Sequence, residues 1–116
     1  MTLATRSEFM GNAALGTLHG GVLSSLVDVA GSMAILAQTE RSLVTVDLRA
    51  DFHRPAVDNE MIITGSVVKL GRQLATSDVR IFDRQRSLIA SGRIVAMHTE
   101  PVSGPLKAWS SESEIR

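Results

Sequence analysis

The sequence predicts an α+β domain in which an antiparallel sheet wraps one long helix. Two observations carry the prediction: a single apolar segment with helical length and no strand alternation, and after it four segments that alternate or run apolar for about ten residues each, joined by short polar turns. At 116 residues the chain is one domain, expected over residues 1–100 and followed by a flexible tail over 101–116, where Ser, Gly, Pro and alternating charges show no apolar period.

In chain order, residues 3–9 are a candidate for a first strand. The segment LGTLHGGVLSSLVDVAGSMAILAQ, residues 15–38, reads as a helix opened by His19, Gly20 and Gly21. Its apolar residues Val22, Leu23, Leu26, Val27, Val29, Ala30, Met33, Ala34, Leu36 and Ala37 cover most directions of a helical wheel, the pattern of a helix surrounded by protein. SLVTVDLRADFHRP, residues 42–55, alternates. Val44, Val46, Leu48, Ala50 and Phe52 fall on one face, Thr45, Asp47, Arg49, Asp51 and His53 on the other, and Pro55 ends the strand. After the turn residues AVDNE, MIITGSVVKL (61–70) is a second strand, with Gly65 a bulge or a point of close approach. Gly71 and Arg72 mark the next turn. QLATSDVRIFDR (73–84) sets Leu74, Thr76, Asp78 and Arg80 against Ala75, Ser77, Val79 and Ile81, and SLIASGRIVAMH (87–98) follows the polar turn DRQRS.

Composition excludes several classes. Twelve basic and twelve acidic residues leave no net charge, so the electrostatic footprint of a nucleic-acid binder is missing. Four aromatic residues, Phe9, Phe52, Phe82 and Trp109, are too few for a base-stacking platform. With no cysteine there is no disulfide, thiolate nucleophile or cysteine metal site, which fits a reducing cytosol. The apolar stretch over residues 21–37 is broken by three serines, an aspartate and a glycine, and residues 1–12 hold no apolar run. Neither a membrane span nor a signal peptide is expected, and the localisation expected is cytoplasmic.

The anomaly is Asp28, a carboxylate in the middle of an apolar helix. Buried and unpaired, its charge would cost several kcal/mol, so it is functional, or it lies at the helix edge, or it pairs with a buried Arg in a structural ion pair. Gly20 and Gly21 either let a ligand approach the free N–H groups of the helix start, as in an oxyanion hole, or simply let a loop turn into a helix. Nine residues separate His19 from Asp28, about two and a half turns, so one subunit cannot set the carboxylate beside Gly20; a partner subunit can.

The blocks LGTLHGGVLSSLVDVAGSMA, LVTVDLRADFHRPA, GSVVKLGRQLATSDVRIFD and LIASGRIVAM stand in one order over residues 12–98, and together they resemble the hotdog-fold acyl-CoA thioesterases of the PaaI-like branch. The resemblance implies a hotdog fold, a homodimer or homotetramer with active sites across the subunit interface, and hydrolysis of an acyl- or aryl-CoA thioester to free acid and CoA. It implies that Asp28 is the catalytic carboxylate, as general base or nucleophile, facing the His-Gly-Gly loop of the other subunit. The N–H of Gly20 would polarise the thioester carbonyl, with Gly21 against the substrate, His19 holding the loop and Thr45 holding the attacking water. Where the family often carries an Asn six residues before the His this chain has Ala13; Asn12 either reaches the site through a bulge or stands by. Arg54, Lys69 and Arg72 either bind the phosphates of CoA or are solvated surface charges. An apolar lining from Leu23, Leu26, Val27 and Met33 would suit an aryl ring or a medium chain. His53 and His98 are expected to face solvent or cap strands, and Asp47, with Arg49 and Asp51, to form cross-strand ion pairs. No metal and no cofactor is expected, since no second ligand stands at metal spacing. A non-catalytic acyl-CoA-binding hotdog protein and a hotdog hydratase or dehydratase are the alternatives. No nucleic acid or membrane partner is expected, and exposed sheet edges give a further reason to expect an oligomer.

Overall fold

The structure, a computed structural model, describes residues 2–4, 10–12, 17–57 and 60–99. Its elements are β1 (Thr2–Ala4), β2 (Met10–Asn12), β3 (Thr17–Leu18), α1 (Gly20–Leu36), β4 (Ser42–Phe52), β5 (Glu60–Leu70), β6 (Leu74–Phe82) and β7 (Leu88–Thr99). Five strands form an antiparallel sheet in the order β1-β5-β6-β7-β4, and β2 and β3 make a separate two-stranded ribbon. The expected first strand is present as β1; the rest of residues 3–9, the segment around Ala13 and the tail from residue 101 lie outside the described residues.

Helix α1 packs on one face of this sheet, touching β4, β5, β6 and β7. Alternation in β6 came out as read: Ala75, Ser77, Val79 and Ile81 are buried. They meet Met61 and Ile63 of β5, Ile94 and Ala96 of β7, and Leu23, Val27, Ala30 and Ile35 of the helix in one core. Gly65 is the close approach. A Cβ there would stand 2.8 Å from the Ala30 carbonyl oxygen and 3.2 Å from the Ala34 Cβ, so the glycine lets helix and sheet touch. The β5 irregularity falls three residues later, between Val67 and Lys69. Gly65→Ala is expected to cost about 1–3 kcal/mol of stability, since the helix backbone must move; a lower urea midpoint at unchanged slope is the check.

Three expectations are corrected. First, β4 does not keep one alternation: its register with β7 shifts between Thr45 and Asp47, with Val46 the extra residue. A bulge moves every later side chain to the opposite face. Leu43, Leu48 and Ala50 therefore pack against the core while Val44 and Val46 are exposed, and Thr45 turns inward. Second, the helix is not surrounded by protein on all sides: Val29, Met33 and Leu36 are 47%, 56% and 47% exposed, an apolar stripe that no described element covers. Third, His98 does not face solvent. It is 8% exposed, because it follows Ile94 and Ala96 on the inward register of β7.

Candidate active site

Asp28 sits halfway along α1, half-buried, with Ser24 and Ser32 one turn to either side, also half-buried. The side chain found beside it is Thr45, whose hydroxyl donates to Asp28 Oδ1 at 2.6 Å. This bond depends on the β4 bulge, which carries Thr45 onto the helix side of the strand. Asp28 is not in an arginine ion pair among the described residues. Neighbouring β4 is the last strand of the sheet, and no strand among the described residues pairs with its outer edge. The carboxylate thus stands close to a free sheet edge, on a helix whose adjoining apolar stripe is exposed.

At the helix start His19 is exposed and extended (φ −62°, ψ 140°), and its carbonyl accepts from the N–H of Val22 and Leu23 at 3.1 and 3.4 Å. Its side chain makes no cap bond, and the first turn holds no acidic residue. The N–H groups of Gly20 and Gly21 have no carbonyl of their own helix to bond, so the positive end of the helix dipole is open. The two glycines differ. A Cβ on Gly21 would meet nothing within 4 Å, whereas one on Gly20 would lie 3.2 and 3.3 Å from the Cε2 and Cζ atoms of Phe52. Open space lies at Gly21, and the ring of Phe52 lies against Gly20. At about 1.5 Å of rise per residue Gly20 and Asp28 are about 12 Å apart along the helix, too far to act on one carbonyl group from the same copy.

Arg54 lines a hollow of about 440 Å³ with Leu18, Gly20, Leu23, Phe52 and Pro55, beside the helix start. Lys69 and Arg72 line a different cleft, of about 910 Å³, near the β5–β6 turn. The three cations expected to serve one purpose are therefore divided between opposite ends of the sheet. Sequence reasoning missed Arg41, which lines the second cleft and donates from Nη1 to the Arg72 carbonyl at 2.6 Å. A lone cation between helix and strand carries no spacing signal that would have found it. Asn12 pairs with Thr17 across the β2–β3 ribbon, where a register shift falls between Met10 and Asn12. Val27 is fully buried in the core and cannot line a substrate site; Leu23, 4% exposed, reaches only the hollow beside Gly20, whereas Leu26 is half-buried and Met33 exposed.

Most other polar groups are engaged away from Asp28, while the buried Nδ1 of His98 has no hydrogen-bond partner among the described residues. His53 is exposed and its Nε2 hydrogen-bonds with Ser91 Oγ at 2.8 Å. Arg49 pairs with Asp51 along the same strand at 3.3 Å rather than across strands. The cross-strand pair is Arg93 with Asp78: its Nε and Nη2 donate to the two carboxylate oxygens at 2.6 and 3.0 Å. Those hydrogen bonds, helped by the charges of Arg93 and Arg80 and opposed by partial burial, hold Asp78 below the ordinary aspartate value of 3.8. Because the folded value lies below the unfolded one, this stabilisation is present above about pH 4 and is lost as pH falls through the folded value. Asp78→Asn is expected to lower the thermal midpoint slightly at pH 7, the pair being solvent-screened, and by progressively less as pH falls below about 4. Among the described residues no three His, Asp or Glu side chains are placed to hold a metal ion, and no helix is long and apolar enough to cross a membrane.

A single helix packed on an antiparallel sheet, carrying a half-buried carboxylate at its middle and two glycines at its start, is the arrangement of a hotdog-fold protein. Known proteins narrow the class: residues 15–90 match the thioesterase superfamily, and the chain belongs to that family. It is 40% identical over 83 residues to acyl-coenzyme A thioesterase 13 of Mus musculus, covering 68% of this chain and 59% of that protein. It is 30% identical over 103 residues to the medium/long-chain acyl-CoA thioesterase YigI of Salmonella typhimurium, covering 76% and 66%. The chain thus spans only about three fifths of the length of the thioesterase 13 relatives. Among solved structures, zebra fish thioesterase superfamily member 2 superposes with a TM-score of 0.77 at 30% identity over 84% of this chain and 72% of that one. Another protein of the thioesterase superfamily superposes with a TM-score of 0.79 at 32% identity over 83% and 73%.

Proposed function

We propose that this protein hydrolyses acyl-CoA thioesters, with Asp28 of one subunit and the Gly20 N–H of a second acting on the same substrate. The observation that carries the reading is the Thr45–Asp28 hydrogen bond beside the free β4 edge. It fixes a carboxylate at the place where a second copy would bring its helix start. Antiparallel pairing of two β4 edges would extend the sheet, cover the Val29–Met33–Leu36 stripe and supply each site with the missing half. The relatives' names support the substrate class.

In this scheme the thioester carbonyl oxygen accepts from the Gly20 N–H, where the helix dipole stabilises the developing negative charge; Gly21 leaves the approach open. Asp28 takes a proton from water as the water oxygen bonds to the carbonyl carbon, the C–S bond breaks, and the thiolate is protonated as CoA leaves. In the alternative route Asp28 itself attacks, expels the thiolate and forms a mixed anhydride that water then opens. Label from heavy-oxygen water found in the Asp28 carboxylate after a single turnover would identify the anhydride route, opened by water at the Asp28 carbonyl carbon. Thr45 orients Asp28 and holds the attacking water, and His19 sets the loop. Asn12 is the remaining candidate for a polar contact to the substrate. Lys69 and Arg72 supply positive charge for the phosphates of CoA, while Arg54 stands at the hollow beside Gly20, close to the thioester. The cytosol is the expected compartment, and a tetramer of two such dimers is compatible with the reading.

The test is release of free thiol from butyryl-, octanoyl-, palmitoyl- and phenylacetyl-CoA. A hydratase would instead consume enoyl-CoA absorbance with no thiol released, and a binding protein would retain acyl-CoA and do neither.

A further inference from the structure

We infer that Phe52 selects the acyl group of the substrate; the inference rests on the thioesterase reading above and names a residue that reading does not use. Phe52 closes β4, and its ring lies against Gly20, whose N–H is the proposed carbonyl donor. Whatever is attached to the carbonyl carbon therefore starts next to this ring. The backbone that follows is held firmly: the N–H groups of His53 and Arg54 both donate to the Ile89 carbonyl, at 2.7 and 3.1 Å, and the Ala56 carbonyl accepts from Leu18 at 3.1 Å. Yet the Phe52 side chain is 53% exposed. A fixed backbone with an uncovered aromatic ring is a preorganised apolar contact surface.

The surroundings decide which half of the substrate covers it. Leu18, Leu23, Phe52, Pro55 and Ala56 give the hollow beside Gly20 apolar walls, with the exposed side chains of His53 and Arg54 as its polar lining, whereas three cations, Arg41, Lys69 and Arg72, gather in the cleft near the β5–β6 turn. No ion-pair partner for any of these three cations lies among the described residues. An acyl-CoA has the same division, an apolar chain on one side of the thioester and a polyanionic nucleotide on the other. The hollow matches the chain, and the distant cations match the phosphates. Each methylene placed on apolar surface is worth about a fourfold gain in binding, so a residue that ends or extends that surface sets the chain-length preference.

The experiment is a kinetic panel of butyryl-, octanoyl-, lauroyl- and phenylacetyl-CoA on wild type, Phe52→Ala, Phe52→Leu and Phe52→Tyr. It is run beside calorimetric binding of ketone-bearing S-alkyl-CoA thioethers of matching lengths. The expected result is uneven. Phe52→Ala lowers kcat/KM for the preferred acyl group about tenfold or more, mostly through KM, and leaves butyryl-CoA within about threefold. Phe52→Leu falls between, and Phe52→Tyr keeps the wild-type order. An equal loss on every substrate, carried by kcat, would show that the ring acts only on Gly20, and an unchanged order in both Ala and Leu variants would show that it does nothing; either overturns the inference. The thioethers separate this from the parent reading. If wild type releases no thiol but its affinity rises with chain length and Phe52→Ala flattens that rise, thioester hydrolysis fails while the role of Phe52 stands. A wild type that binds no thioether overturns both.

Discussion

Asp28→Asn is expected to lower kcat for thiol release by about a hundredfold or more while leaving KM within a few-fold. The substitution is close to isosteric, and the amide oxygen can still accept from Thr45, so the 2.6 Å contact and the local packing survive. What disappears is the basicity and nucleophilicity of the carboxylate, which both chemical routes require. Asp28 is half-buried on a helix that remains anchored by Leu23, Val27, Ala30 and Ile35, so the variant should fold, and an unchanged far-ultraviolet spectrum and thermal midpoint are the controls. Asp28→Ala should lose activity to the same extent. A variant that keeps its full rate would remove Asp28 from the chemistry and favour a site elsewhere on the fold.

The second large effect is recovery of activity from two dead proteins. Gly20→Pro removes the N–H proposed to polarise the carbonyl, at the first helical position, where proline is tolerated; His19 already has the extended conformation that a residue before proline requires. Asp28→Asn and Gly20→Pro should each be inactive alone. Unfolded together and refolded as a mixture, they should regain about a quarter of wild-type activity if each site combines Asp28 of one subunit with Gly20 of another, because half the dimers are mixed and each mixed dimer has one intact site. No recovery, with mixed dimers demonstrated by mass spectrometry, would place the whole site in one copy. The 12 Å helical separation argues against that outcome.

Much of this was legible in the chain. Amphipathic alternation placed β6 and its buried face residue by residue, and the length of the apolar segment against the alternating ones indicated a single helix followed by four strands, of which only β5, β6 and β7 run as a meander, β4 lying beside β7. Asp28 stood out because a carboxylate is costly on an apolar helix, and Gly20 and Gly21 because they open that helix. The helix itself is shorter than its apolar segment: it begins at Gly20, where the extended His19 ends the preceding chain, and stops at Leu36.

Other features had no local signal. Nothing in SLVTVDLRADF distinguishes a strand with Val46 as an extra residue from one that alternates throughout, since valines and polar residues occur on both sides; the registration of β4 on β7 decided it, and with it the Thr45–Asp28 contact. His98 reads as a polar strand end, but β7 continues its inward register far enough to bury it. The apolar wheel of α1 announced burial on all sides, while the sheet covers one. Periodicity reports that a face is apolar and says nothing of which chain covers it. Sequence by itself therefore determined the helix and the four long strands but not the β2–β3 ribbon, together with the inward face of β6 and the residue types capable of chemistry, because these follow from local periodicity and from the cost of burying charge. Tertiary structure alone decided which of those residues meet, because a one-residue bulge, a ring laid against a glycine and a pair of distant cationic ends depend on how separate strands register against one another in space.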